Sequence, residues 1–85
     1  MTRRLQPEAE VFGRHLRELR EHRGVTQDAL ATSSGLTKAY ISDMERGLKV
    51  PSLTTILRLA ASLRCKVTDL VRVFDTMDAP LNLPK

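Results

Sequence analysis

Residues 24–47 read GVTQDALATSSGLTKAYISDMERG. Two short patterned stretches lie on either side of a break at Ser34-Gly35-Leu36. The first turns Leu30 and Ala31 to one side, and the second turns Ile41 and Met44. Thr26 and Thr37 stand where helix caps belong, which predicts helices over residues 27–33 and 38–46. Asp28 suits the positive end of the first of these. Gly35 is able to take the positive φ that a sharp turn demands. Ala31, four residues earlier, is small enough to let two helices cross closely, with Leu30 and Ile41 holding them together. The second helix is left with an uncovered outer face.

Working outward, residues 8–23 place Phe12, Leu16 and Leu19 on one stripe of an amphipathic helix. Arg14/Glu18 and Arg17/Glu21 are spaced one turn apart on its wet face, and Gly24 ends it. Residues 1–7 read as an arm. After a connector at 48–51, Ser52 caps a helix over 53–64 whose apolar face is Leu53, Ile56, Leu57, Ala60 and Leu63. Cys65-Lys66 is a short break. A fifth helix over 67–76 offers Leu70, Val71, Val73, Phe74 and, just past it, Met77. Residues 78–85 read as a tail, with two prolines. No alternating strand pattern, hairpin dipeptide or internal repeat occurs. The expected fold is all-α, with five short helices in one domain over residues 8–77.

Composition narrows the function. At 85 residues the chain supports one small core and excludes barrels and doubly wound sheets. Aromatic residues make up 4% and Trp is absent, which argues against base-stacking platforms. The net charge of +4 suggests an acidic partner, but the charges are not segregated: residues 1–50 carry 9 basic and 7 acidic side chains, residues 51–85 carry 5 and 3. One cysteine, Cys65, excludes an internal disulfide and reads as a buried small residue rather than a nucleophile. His15 and His22, seven apart, sit two turns from each other, too far to share an ion easily. No catalytic triad spacing and no Gly-rich phosphate loop is present, so neither an enzyme nor a cofactor or metal protein is expected. The basic N-terminus is followed by no apolar stretch, and no window is long enough to span a membrane, so a cytoplasmic protein is expected.

A short helix, a glycine turn and a second helix with a free outer face form a helix-turn-helix, whose second helix fits a DNA major groove. Alone the pattern is weak, since small bundles show it too. Here it stands in a fixed series: LRELREHRG, VTQDALATSSGL, AYISDMERG, VPSLTTILRLAASL and VTDLV. In this the chain closely resembles the XRE-type helix-turn-helix regulators, which include lambda-type phage repressors, Cro and the controller proteins of restriction–modification systems. The likeness runs over about residues 12–71.

The resemblance implies a transcriptional regulator that binds double-stranded DNA as a homodimer, with half-sites about 34 Å apart. It implies a DNA-facing set: Gln27, Thr37, Lys38, Ala39, Tyr40, Ser42, Asp43 and Arg46. Gln27 is expected to bond a phosphate or to brace the recognition helix. Lys38 suits guanine O6 or N7, and Ala39 a thymine methyl. Where controllers often show an Arg-Thr-Tyr-Ile-Ser run, this chain has Lys38-Ala39-Tyr40-Ile41-Ser42. Losing the Arg fork removes bidentate base recognition at that position. Tyr40 either reaches a base edge or phosphate or packs on the turn. Asp43 repels phosphate yet is able to accept from cytosine N4. Arg20 and Glu45 are expected to form a structural ion pair between the first and third helices, and Val73 and Met77 to extend a dimer interface or simply fill the core. The competing reading is a protein-interaction module, an antitoxin or adaptor on the same fold.

Overall fold

Side-chain caps set where the helices begin. The computed structural model describes residues 7–76. Helix α1 runs Pro7–His22, with Pro7 in the first turn, where its missing N–H costs nothing. Residue 7, the last of the expected arm, is therefore helical, and the rest of that arm lies outside the described residues. Helix α2, Gln27–Ser34, starts at Thr26, whose hydroxyl accepts from Ala29 N at 3.0 Å. It extends through Ser34, whose hydroxyl is buried and donates to Leu30 O at 2.6 Å. Gly35 then closes it at φ 74°, its N–H donating to Ala31 O. Helix α3, Lys38–Glu45, starts at Thr37, which accepts from Tyr40 N at 3.1 Å, and Arg46 is its C-cap.

Helix α4, Leu53–Leu63, is capped by Ser52 and closed by Arg64 in the left-handed region at φ 54°. Helix α5 spans only Val67–Val71; Asp69 folds back to accept from Lys66 N at 2.9 Å. The chain then tightens into a 3-10 helix, Arg72–Thr76, in place of the single helix expected over 67–76. Met77 and residues 78–85 lie outside the described residues, as do residues 1–6.

The core is built from Phe12, Leu16, Leu30, Ile41, Met44, Leu59 and Leu70, with Ala31, Ala60 and Leu63 beside them. Helix α4 corrects part of the expected face: Ala60 and Leu63 are buried and Ile56 packs against the core, but two leucines turn out. Leu53 is 70% exposed and Leu57 49%, whereas Leu59 is fully buried. Leucines surround this helix, so hydropathy alone does not fix its rotation. Its inward stripe is Thr55, Leu59 and Leu63 at four-residue spacing. A threonine is accommodated there because Thr55 Oγ1 has two hydroxyl partners, Ser52 at 3.0 Å and Tyr40 at 3.2 Å. His15 Nε2 meets the Asp69 carbonyl at 2.6 Å and ties α1 to α5. These contacts leave α3 wedged between α1 and α2, with one side inward and one side open.

Candidate nucleic-acid interface

The inward side of α3 carries Ile41 and Met44 in the core, Tyr40 packed against it, and Glu45. The Glu45 carboxylate is 3% exposed and fully partnered. Arg20 Nε donates to Oε2 at 2.6 Å and Nη2 to Oε1 at 3.0 Å, a two-bond fork. Gln27 Nε2 also donates to Oε1, at 3.0 Å. The third Arg20 nitrogen, Nη1, donates to Val25 O at 2.8 Å in the loop before α2. The Glu45 hydrogen bond raises the Arg20 guanidinium pKa and outweighs the opposing effect of burial. One cluster thus joins α1, the start of α2 and the end of α3. The orientation of α3 is set by charge-assisted bonds as well as by packing.

Gly13 is the residue that sequence reasoning missed. A Cβ there would stand 2.1 Å from Met44 O and 2.9 Å from Glu45 O, so α1 passes the end of α3 in backbone contact. The available signal was a glycine inside a helix, a position that costs about 1 kcal/mol against alanine and calls for a packing reason.

The outward side of α3 carries Lys38, Ala39, Ser42, Asp43 and Arg46; Lys38, Ala39 and Arg46 are exposed, Ser42 and Asp43 half-buried. Their polar contacts are weak and local. Lys38 Nζ lies 3.5 Å from Asp28, with both side chains more than half exposed. Asp43 holds Arg46 at 2.8 Å and Lys49 at 3.5 Å, so its charge is offset by two cations. Lys49, from the connector, also sits 5.9 Å above the Tyr40 ring. Tyr40 is half-buried against the core, with its hydroxyl bonded to Thr55 of α4. Thr37 is exposed, its hydroxyl engaged as a cap.

Other expected residues fall elsewhere. Arg17 and Glu21 pair at 3.2 Å on the solvent side of α1, while the expected Arg14–Glu18 pair is not formed. Val73 is half-buried in the 3-10 helix. Cys65 is half-buried, and burial pushes its thiol pKa up, as does the nearby Asp69 carboxylate. Among the described residues no group of three or more metal-ligating side chains occurs, and no helix is long and apolar enough to cross a membrane.

A family model described as a helix-turn-helix domain matches residues 11–80. The chain belongs to this family. Among similar curated proteins is an HTH-type transcriptional repressor, RghR of Bacillus subtilis, 48% identical over 56 residues. That match covers 65% of this chain and 42% of RghR, so this chain spans under half of that relative. An uncharacterized HTH-type transcriptional regulator of Sinorhizobium fredii, y4dJ, is 32% identical over 65 residues, covering 76% of this chain and 84% of it. Among solved structures, the restriction–modification controller protein C.AhdI of Aeromonas hydrophila superposes with a TM-score of 0.72 at 41% identity. It covers 74% of this chain and 96% of that one. The fold is the five-helix lambda-repressor type, and membership in a family of HTH regulators implies DNA binding.

Proposed function

We propose that this helix-turn-helix protein is a sequence-reading transcriptional regulator that binds duplex DNA as a homodimer. The outer side of α3 enters the major groove of each half-site. The observation that carries this reading is the contrast built into α3. Its inward side is fully bonded, through Glu45 to Arg20 and Gln27, while Lys38, Ala39, Ser42, Asp43 and Arg46 share the open side. A helix held so firmly with a polar, uncovered face suits insertion into a groove about 12 Å wide.

The roles follow from position. Lys38, in the first turn of α3, donates to guanine O6 or N7, and Ala39 approaches a thymine methyl. Ser42 reaches the next base edge. Gln27 spends its amide N–H on Glu45 and offers its backbone N–H, at the start of α2, to a phosphate. Arg46 adds a backbone contact, and Thr37 keeps α3 capped beside the DNA. Asp43 carries Arg46 and Lys49 and acts on DNA chiefly through them. Tyr40 supports α3 from within.

For the dimer, Val73 and Met77 were the residues expected from the sequence. The exposed Leu53 and Leu57 of α4 add an apolar stripe that also favours a protein contact. The same stripe favours the second reading, an interaction module whose partner is another protein.

Selection from random duplex DNA at about 0.15 M salt separates the two, because non-specific binding there is only about 10⁻⁴–10⁻⁶ M. Enrichment of an inverted repeat with half-sites one helical turn apart supports the regulator. With about four phosphate contacts per protomer, log K falls against log salt with a slope near −7 (about −0.9 for each phosphate). No enrichment by folded protein favours the interaction module.

A further inference from the structure

A cleft lies where α1 passes the C-terminal end of α3, lined by Glu10, Arg14, Arg17, Glu45 and Arg46. We infer that it seats a phosphate of the DNA backbone, so that α1 grips the duplex beside the groove that α3 occupies. This rests on the DNA-binding reading above and extends it to a helix that reading leaves unused.

Placement is the first argument. Glu10, Arg14 and Arg17 are spaced four and three residues apart, so one stripe of α1 faces the cleft over two turns. Arg46 completes the rim from the other side and is also the last residue on the open side of α3. The cleft is therefore continuous with the reading face. A helix with its side chains is about 10–12 Å across and fills a major groove about 12 Å wide. An element that flanks its open side at the groove edge comes close to the phosphate ridge. Helix α1 is packed as tightly as backbone allows: Gly13 touches the Met44 and Glu45 carbonyls, and a Cβ on Gly47 would stand 3.1 Å from Glu10 Cα.

Charge is the second argument. Three guanidinium groups line the cleft against two carboxylates. Glu45 is bonded to Arg20 and Gln27 and 3% exposed, so it presents almost no charge outward. Arg46 leans on Asp43, and Arg17 on Glu21, through exposed pairs that give way at little cost. Arg14 is exposed and makes no hydrogen bond or ion pair among the described residues. Glu10 is the one exposed carboxylate of the lining, and its charge weakens the site.

The test uses the full chain and the duplex enriched by selection. Affinity is measured by fluorescence anisotropy across a salt series for wild type, for Arg14→Gln/Arg17→Gln and for Glu10→Gln. The arginine double variant is expected to weaken binding to every duplex alike, with a slope shallower by about 0.9 per phosphate, hence about 1.8 for a dimer. Glu10→Gln is expected to tighten binding, an effect of opposite sign that no loss of folding imitates. Phosphate-ethylation interference is expected to lose one position per half-site in the double variant, with the others kept. An unchanged slope and interference pattern, or a loss confined to one sequence, overturns the inference while leaving the DNA-binding reading intact. Tight binding of inorganic pyrophosphate in the cleft, with the DNA slope unchanged, overturns the assignment to the backbone. A folded wild type that binds no duplex overturns both readings together.

Discussion

The two sides of α3 differ sharply in how they are bonded. Inward, Ile41 and Met44 are completely buried, Glu45 accepts three hydrogen bonds, and Gly13 of α1 touches the backbone itself. Outward, the ion pairs of Lys38, Asp43 and Arg46 are exposed and short in sequence range or weak in geometry. A helix that reads DNA must be aimed to within a fraction of an ångström while its contact residues stay free to be exchanged. The division of labour suggests that inward changes act on folding and outward changes act on binding with little effect on folding.

The largest effect is expected at the ion pair. Removing one charge of a buried pair costs about 3–5 kcal/mol, because the other charge is stranded. Arg20 and Glu45 are 11% and 3% exposed, so they qualify as buried. Glu45→Gln should therefore remove a large part of a total stability of about 5–8 kcal/mol. Urea unfolding followed by circular dichroism measures it. Replacing both residues with methionine should recover much of the loss, since no charge is then left unpaired. A midpoint unchanged in Glu45→Gln would mean that packing alone aims α3.

Gly13→Ala is expected next, near the top of the range of about 1–3 kcal/mol for overpacking. The methyl would meet a carbonyl oxygen at 2.1 Å, and backbone cannot rotate out of the way as a side chain would. Alanine is otherwise the better helix former by about 1 kcal/mol, so a stabilised variant would show that the two helices are free to slide apart.

Lys38→Ala belongs to the outward side. Thermal stability should stay within about 0.5 kcal/mol, as for other exposed substitutions. Binding to the enriched duplex should weaken by about 1–3 kcal/mol, with preference relaxed at one base position. Equal weakening on every sequence would make Lys38 a phosphate contact. Tyr40→Phe returns to the inward side, where loss of the Thr55 bond should cost about 1 kcal/mol of stability and leave the base preference unchanged.

The order of helices, their caps and the turn at Gly35 were readable in the sequence because each rests on local chemistry: a hydroxyl before an apolar period, or a glycine after it. Leu30, Ile41 and Met44 were readable as core for the same reason. The rotation of α4 was not. The six apolar residues Leu53, Ile56, Leu57, Leu59, Ala60 and Leu63 surround most of that helix, and its buried side also carries the hydroxyl cluster of Ser52, Thr55 and Tyr40, which no apolar period announces. The bracing role of Gln27 was readable, though not its partner Glu45. The cleft beside Arg46 was hidden, since it depends on how closely α1 approaches α3, and that distance is set by the absence of a side chain at Gly13.

Asp28→Asn should have the smallest effect on folding and still change binding. Asp28 and Lys38 are 3.5 Å apart and 74% and 59% exposed, so the pair contributes at most about 1 kcal/mol and is screened further by salt. The unfolding midpoint should move by no more than the measurement resolves, and asparagine remains tolerable in the first turn of α2. For DNA the sign reverses. The free protein holds the Lys38 ammonium toward the Asp28 carboxylate; if α3 reads DNA as proposed, removing that carboxylate releases Lys38 and deletes a repulsion of the polyanion at once. Affinity for the enriched duplex should rise, most at low salt, and the gain should shrink as the Debye length falls toward about 8 Å at physiological ionic strength. In Asp28→Asn/Lys38→Ala the part of the gain that depends on releasing Lys38 should vanish, and only the smaller effect of deleting the charge should remain. If the double variant keeps the whole gain, Asp28 acts on DNA by repulsion alone, and the outward side of α3 has no internal latch to release.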